Sequence, residues 1–228
     1  MKINEVMFQL EKMGNEQTKK IFLRHGAREP FYGVKVGDLK KLVKKIKIDH
    51  QLSLELFATG NSDAMYLAGL IADPDKITKT ELQNWVENAY WYMISEYTVP
   101  DVAAASKYGT DLGLTWIESD KEMIAAAGWA TLSRFLTPKS KFKLKVEKVK
   151  ALLTRIEQSL QSSQNRVKYA MNGFLIAAGT YYHDLTENAI SIAGNIGKVD
   201  VEMGNTYCKV PDAAFYIKKA IVRNSNKK

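Results

Sequence analysis

Residues 85–97 concentrate aromatic side chains of the kind that form binding sites. The stretch carries five rings, on Trp85, Tyr90, Trp91, Tyr92 and Tyr97. Trp91 and Ser95 stand four residues apart, so they share a face on a regular helix. Three adjacent rings, however, point in three directions around a helix and cannot all face one core. At least one ring is therefore expected to line a cleft, although the core is the default place for an aromatic residue on a helix.

Two lysine-rich segments have the chemistry to contact phosphate groups. Residues 36–47 predict an amphipathic helix whose polar face carries Lys40, Lys41, Lys44 and Lys45. Residues 139–150 form the second segment, which includes Lys139, Lys141 and Lys143. Ammonium groups on helix faces position a nucleic-acid duplex without reading its sequence. A solvated helix surface is the plain alternative for either segment alone.

The overall charge favours a polyanionic partner. The 228 residues hold 33 Lys and Arg against 25 Asp and Glu, a formal net charge of +8. Such an excess attracts nucleic acid through steering and counterion release. No apolar run approaches the length of a membrane span, and a single cysteine, Cys208, is typical of a reducing cytoplasm. The expectation is a cytoplasmic, nucleoid-associated protein that makes no membrane contact.

Common enzyme signatures are missing from the chain. There is no Walker-type glycine-rich loop, no His-Glu-x-x-His and no Gly-x-Ser-x-Gly. The three histidines are scattered, and no cysteine-based zinc cluster is possible with one thiol. We therefore expect no metal site and no cofactor.

Hydrophobic periodicity predicts helices along the whole chain. Asn15, Asn61 or Ser62, and Thr78 with Glu81 have the pattern of helix N-caps, while Pro100 is expected to end the helix that carries the aromatic stretch. One weakly alternating segment after residue 195 reads as a short strand or an extended loop. The chain is thus predicted to be all-α and a single domain over residues 1–228. A compact bundle and a solenoid of stacked helix pairs both fit this pattern.

Several short motifs resemble those of the DNA alkylation repair family, the HEAT-like-repeat (AlkD-like) alkylpurine DNA glycosylases. Residues 31–46, beginning Phe31-Tyr-Gly-Val, resemble the family's early Phe-x-Gly-Val signature, and Tyr90-Trp91 falls where members carry Trp-Trp-Asp-x-x-Asp. Ser119-Asp120 and Ala170-Met-Asn-Gly-Phe174 resemble two later motifs. The closing segment, residues 196–211, is similar to one bacterial branch of the family.

The resemblance implies a right-handed α-solenoid of HEAT-like helix pairs with a basic concave face for double-stranded or distorted DNA. It also implies excision of cationic alkylated purines, in which aromatic rings contact the DNA, an Arg holds it, and an Asp carboxylate stabilises the developing positive charge. On this basis Trp91, Trp129 and Phe174 are expected to lie toward the DNA.

The match departs from the family at the catalytic positions. The Asp position falls at Ser95, which is neutral, and the Arg position falls within Ala125–Ala127. Glu96 is adjacent, but one step along a regular helix turns it by about 100°. Asp101, beyond Pro100, is another conceivable carboxylate.

Three hypotheses follow from this departure. The first is a DNA-binding protein of the family that lacks the usual glycosylase mechanism. The second is an active glycosylase that uses Glu96 or Asp101. The third is a protein-interaction solenoid whose basic charge is incidental.

Overall fold

The computed structural model describes residues 1–225, and the part it describes consists of α-helices, short 3₁₀ turns and one π-helical turn, without strands. The first helices are α1 (Ile3–Met13), α2 (Glu16–Arg24), α3 (Val36–Ile46), α4 (His50–Ala58), α5 (Ser62–Ile71) and α6 (Lys79–Glu87). A π-helical turn, Met93–Thr98, leads directly into α7 (Val99–Ala105). The chain continues through α8 (Gly109–Trp116), α9 (Glu122–Phe135), α10 (Val146–Ser159), α11 (Asn165–Tyr181), α12 (Thr186–Ile196) and α13 (Ala213–Ser225). The predicted all-α class is confirmed.

The helices stack as successive pairs in two rows. In the first row, α5, the π-helical turn with α7, α9, α11 and α13 pack on one another in order. The helices α4, α6, α8, α10 and α12 form the second row, and within residues 1–225 the packing between its successive members is sparse. Helices that approach one another more closely on one side bend a stack toward that side. The molecule is therefore a solenoid that curves toward the first row, which we call the inner row.

Side-chain caps begin several helices where the sequence predicts them. The Asn15 side chain accepts a hydrogen bond from the Thr18 amide, and the Asn61 side chain accepts from the Asp63 and Ala64 amides. Thr78 and Glu81 form a reciprocal capping box. These bonds satisfy amide groups that the first turn of a helix leaves unpaired.

The aromatic stretch differs from its sequence prediction. It does not form one helix that ends at Pro100, because α6 ends at Glu87 and Pro100 lies in the first turn of α7, inside continuous helical structure. Proline fits here because its fixed φ suits a helix, although it leaves the Glu96 carbonyl without its usual backbone partner. The segment from Gly197 to Pro211 is a loop without strand pairing.

Two adjoining clusters of buried apolar side chains run through the stack. The first extends from Val6 to Ala127 and the second from Ala104 to Ile217. Helix α9 contributes to both, through Ile124 and Ala127 on one side and Trp129 on the other. Within the described residues, no helix is both long enough and apolar enough to cross a membrane.

Candidate nucleic-acid interface

A buried ion pair joins two helices of the inner row that are not neighbours. Glu96 lies in the π-helical turn, and Arg166 is the second residue of α11. The guanidinium binds both carboxylate oxygens, with Nε to Oε1 at 2.6 Å and Nη2 to Oε2 at 2.7 Å. Only 10% of the Arg166 side chain and 5% of the Glu96 side chain are exposed. This bidentate geometry is the strongest form of such a contact.

Pro100 and Arg134 account for the unusual backbone of the π-helical turn that carries Glu96. Proline has no amide hydrogen, so Pro100 cannot bond the Glu96 carbonyl four residues before it. Arg134 of α9 satisfies that carbonyl instead, with Nη2 to O at 2.8 Å. A wide turn also changes which residues share a face. The rings of Tyr92 and Tyr97, five residues apart, lie 6.3 Å from each other, whereas on an α-helix they would point about 140° apart.

Aromatic rings enclose the Arg166 guanidinium on two sides. Its central carbon lies 4.8 Å from the Tyr92 ring centroid and 4.6 Å from that of Tyr169. Met203, in the loop before α13, places its sulfur 3.5 Å from Nη1. We call Glu96, Tyr92 and Tyr169 together the aromatic box. A carboxylate and aromatic faces in this combination bind cations. In this structure the box holds the chain's own arginine.

Burial and charge shift the ionisation of these groups. Burial raises the pKa of Glu96, against the hydrogen bonds and positive charge of Arg166. Burial lowers the pKa of Arg166, but the bonds and charge of Glu96 outweigh it and the net shift is upward. Burial also raises the pKa of Tyr92 to about 12. Arg166 is therefore charged, and Tyr92 is a neutral phenol at physiological pH.

A second buried carboxylate, Asp63, organises the loop before α3. It accepts hydrogen bonds from the amides of Tyr32, Gly33 and Val34 at 2.6, 3.0 and 3.0 Å. Gly33 has a φ of +80°, and a Cβ on it would come within 2.7 Å of the Lys19 nitrogen, so only glycine fits this turn. The motif Phe31-Tyr-Gly-Val is thus a loop anchored to the N-terminus of α5.

The three aromatic rings predicted to lie toward DNA are buried in this structure. Trp91 is 3% exposed, and Trp129 and Phe174 are fully buried, so these rings belong to the core and not to a DNA-facing surface. The Trp91 indole donates a hydrogen bond to Ser62 Oγ at 2.8 Å. Trp129 and Phe174 pack edge to face with centroids 5.5 Å apart. Burial of such large apolar surfaces outweighs any gain from leaving them in water.

The predicted catalytic positions have different surroundings. Ser95 is fully buried and its hydroxyl lies 3.4 Å from the Met123 sulfur, so it faces the start of α9. Ala125–Ala127 are buried in α9, between the π-helical turn and α11. Asp101 is largely exposed and pairs with Arg134 at 2.8 Å. Of the candidate carboxylates, Glu96 is the one that forms part of the aromatic box around Arg166.

The lysines predicted to bind DNA all lie on the surface. Exposed side chains are found at Lys40, Lys41, Lys44, Lys45, Lys139, Lys141 and Lys143. Two of them have ion-pair partners, Asp38 for Lys41 at 2.7 Å and Asp75 for Lys141 at 3.4 Å. Their contact with DNA stays a prediction.

The family to which this scaffold belongs is settled by sequence. The model of the family described as DNA alkylation repair enzyme matches residues 6–202. The chain belongs to the DNA alkylation repair family. The resemblance seen in the short motifs is therefore confirmed over most of the chain.

Members of the DNA alkylation repair family similar to this chain include proteins of two Listeria species. An uncharacterised protein of Listeria monocytogenes is 38% identical over 225 residues and covers 96% of both chains. One of Listeria innocua is 38% identical over 218 residues, covering 93% of this chain and 94% of its own.

A solved structure extends the comparison to the whole fold. It belongs to a new family of proteins related to the HEAT-like repeat DNA glycosylases, with affinity for branched DNA structures. The two chains are 37% identical with a TM-score of 0.90, and the match covers 98% of this chain and 95% of the other.

Sequence reasoning missed the residues that build the aromatic box. Arg166, Tyr169 and Tyr92 were not singled out as a group, because Arg166 lies 70 positions from Glu96. One signal was available in the sequence. An arginine in the first turn of a helix is placed against the helix dipole, which marks it as a residue with another partner.

Proposed function

We propose that this protein binds DNA, that branched DNA is its preferred ligand, and that it lacks the glycosylase reaction of its family. The observation that carries the proposal is its similarity, over 98% of the chain, to a protein with affinity for branched DNA structures. The net charge of +8 supplies the electrostatic attraction that DNA binding requires, and the exposed lysines of α3 and residues 139–145 are available for phosphate contacts.

The occupied aromatic box supports the absence of the reaction. An alkylated purine carries a positive charge, and a glycosylase must stabilise it with an available carboxylate. Here both oxygens of Glu96 bind Arg166, and the rings of Tyr92 and Tyr169 cover that guanidinium. A cationic base would have to displace the arginine and break two short charged hydrogen bonds. The intramolecular cation therefore competes with a cationic substrate.

Binding to labelled DNA of defined shape tests the proposal. We expect tighter binding to three-way and four-way junctions than to a linear duplex of equal length. Affinity for every form should fall steeply as the salt concentration rises from about 50 to about 200 mM, because phosphate contacts release counterions. No binding at low salt, or an affinity that ignores salt, contradicts DNA binding. Equal affinity for linear and branched forms contradicts the preference.

An active alkylpurine glycosylase is the second candidate, and the surroundings of Glu96 favour it. Glu96 is a buried carboxylate beside a guanidinium that the rings of Tyr92 and Tyr169 cover, and such a combination stabilises positive charge. The test is release of alkylated purine from methylated DNA by the wild-type protein and by Glu96→Gln and Asp101→Asn. Asp101→Asn serves as the matched control, because Asp101 is exposed on the same segment. Release that Glu96→Gln abolishes and Asp101→Asn preserves would establish Glu96 as the working carboxylate. No release by the wild-type protein excludes this candidate.

A further inference from the structure

Three loops come together at the edge of the solenoid where helices α3, α5 and α9 end. The loop after α3 is bonded to the end of α5, through the Asp49 amide and the Ile71 carbonyl at 2.9 Å. The loop after α9 reaches the loop after α5, through Lys141 Nζ and Asp75 Oδ1 at 3.4 Å. We call this edge the basic rim. Its lysines are Lys44, Lys45, Lys47, Lys76, Lys139, Lys141, Lys143 and Lys145.

Positive charge on the basic rim is only partly balanced. Every one of its lysines is exposed. Asp73 pairs with Lys76 at 3.7 Å, and Asp75 pairs with Lys141. Across residues 1–225 the structure shows no ion pair for the other rim lysines. Lys143 Nζ donates a hydrogen bond to the Thr137 carbonyl. The rim thus still presents several exposed ammonium groups to an anionic surface.

Helix electrostatics explain one part of the rim and not the other. Lys44 and Lys45 lie in the last turn of α3, where the helix dipole favours a cation. Lys145 occupies the N-cap of α10 without a capping bond, and a helix N-terminus disfavours a cation. Lys139, Lys141 and Lys143 add further positive charge just before it. Because the dipole of α10 does not stabilise these positive charges, we infer that they attract a polyanion outside the molecule.

The basic rim is well separated from the Glu96–Arg166 pair. The Glu122 carboxylate at the start of α9 accepts a bond from the Arg166 amide at 2.6 Å, whereas the rim begins after Phe135 at the other end of that helix. The 14 residues of α9 span ~21 Å. The basic rim and the Glu96–Arg166 pair therefore lie near opposite ends of α9.

We propose that the basic rim binds the phosphate backbone of a second arm of a branched DNA whose first arm lies against the inner row. This inference rests on the proposed function. Duplex DNA is stiff, with a persistence length of about 150 base pairs, so a short linear duplex cannot bend from the inner row onto the rim. A junction offers a second rigid arm at an angle to the first. Simultaneous contact with both arms then raises the affinity for the junction without new chemistry.

A fourfold variant tests the rim, with lysines 139, 141, 143 and 145 changed to glutamine. Its matched control removes the same charge elsewhere, through Lys2→Gln, Lys12→Gln, Lys20→Gln and Lys219→Gln, all at exposed positions. For the rim variant we expect an affinity for a four-way junction about 10- to 100-fold lower, and a salt slope smaller by about 3, since each phosphate contact contributes about 0.9. Its affinity for a linear duplex should change by less than about threefold, as should both affinities of the control.

The outcomes separate the inference from the proposed function. A wild-type protein that binds no DNA contradicts both. A rim variant that loses affinity for linear and branched DNA alike, or for neither, overturns the role of the rim and leaves DNA binding standing. Hydroxyl-radical footprinting of the wild-type complex provides the second measurement. It should protect the backbone of two arms, and in the rim variant the protection of one arm should disappear.

Discussion

Two buried carboxylates in neighbouring members of the inner row, α5 and the π-helical turn, are satisfied in different ways. Asp63, 3% exposed, receives three bonds from consecutive backbone amides. Glu96, 5% exposed, receives two bonds from one guanidinium on a distant helix. Burial raises the pKa of both groups, against the bonds that each accepts. Both carboxylates are thus removed from water, and they differ in the groups that replace it.

The choice of partner decides what each carboxylate does for the fold. Backbone amides hold one loop, residues 32–34, against the start of α5. A long charged side chain instead links the π-helical turn to α11 across α9. The first is a carboxylate anchored by neutral backbone amides 29 to 31 residues away in the chain. The second is a pair of charges that stabilises the structure only while both members are present.

Removing one member of the charged pair should have the largest effect. Arg166→Met leaves the Glu96 carboxylate buried without its partner, which costs about 3–5 kcal/mol of the free energy of unfolding. Urea denaturation measures this loss. The double variant Glu96→Gln with Arg166→Met should recover most of it, because no uncompensated charge remains. A loss below about 1 kcal/mol in Arg166→Met would show that water already shares the site.

Substitution of Asp63 should lower the free energy of unfolding less than substitution of Arg166 does. Asp63→Asn replaces one acceptor oxygen with an amide group that cannot accept from the Tyr32 or Gly33 amides, and we expect a loss of about 2 kcal/mol on urea denaturation. Asp38→Asn, in the exposed first turn of α3, is the control and should change the free energy of unfolding far less. If Asp63→Asn lowered the free energy of unfolding as much as Arg166→Met, the contrast between backbone amides and a charged side chain as partners would not hold.

A neutral contact next to Asp63 should matter less again. Ser62→Ala removes the acceptor for the buried Trp91 indole, which costs about 1–2 kcal/mol. A double-mutant cycle with Trp91→Phe isolates the hydrogen bond, because the second change removes the donor. Additive effects of the two substitutions would mean that the bond contributes nothing.

The smallest expected effect concerns pH and the aromatic box. Tyr92 has a pKa of about 12 in the folded protein against an ordinary 10.0, so the folded state keeps the phenol proton longer. Its contribution to stability is complete below about pH 10 and is lost as the pH rises through about 12. The free energy of unfolding should therefore fall less between about pH 8 and about pH 11 in Tyr92→Phe than in wild type. Tyr207→Phe, at a fully exposed position, should follow wild type.

Helix patterns and caps could be predicted from the sequence because they depend on residues close together in the chain. The lysine-faced helix at residues 36–47 and the Thr78–Glu81 capping box are local features, and both were found. The position of Trp91 was not readable, because its burial depends on Ser62 and Phe22 from other helices. The aromatic box was missed for the same reason. Its members and the Met203 sulfur beside them come from three separate segments of the chain, and the sequence does not show which distant segments meet.

The π-helical turn also makes the arrangement of side chains in this region sensitive to a change of one residue in length. It is one residue wider than an α-helical turn, so it acts as an insertion that adds no loop. Deleting a single codon within residues 93–95 would restore ordinary helical spacing, leave Tyr97 four residues from Tyr92 on the same face, and move Glu96 from four residues to three residues after Tyr92. Among relatives, the residue aligned with Glu96 need not be the residue that occupies its place in space.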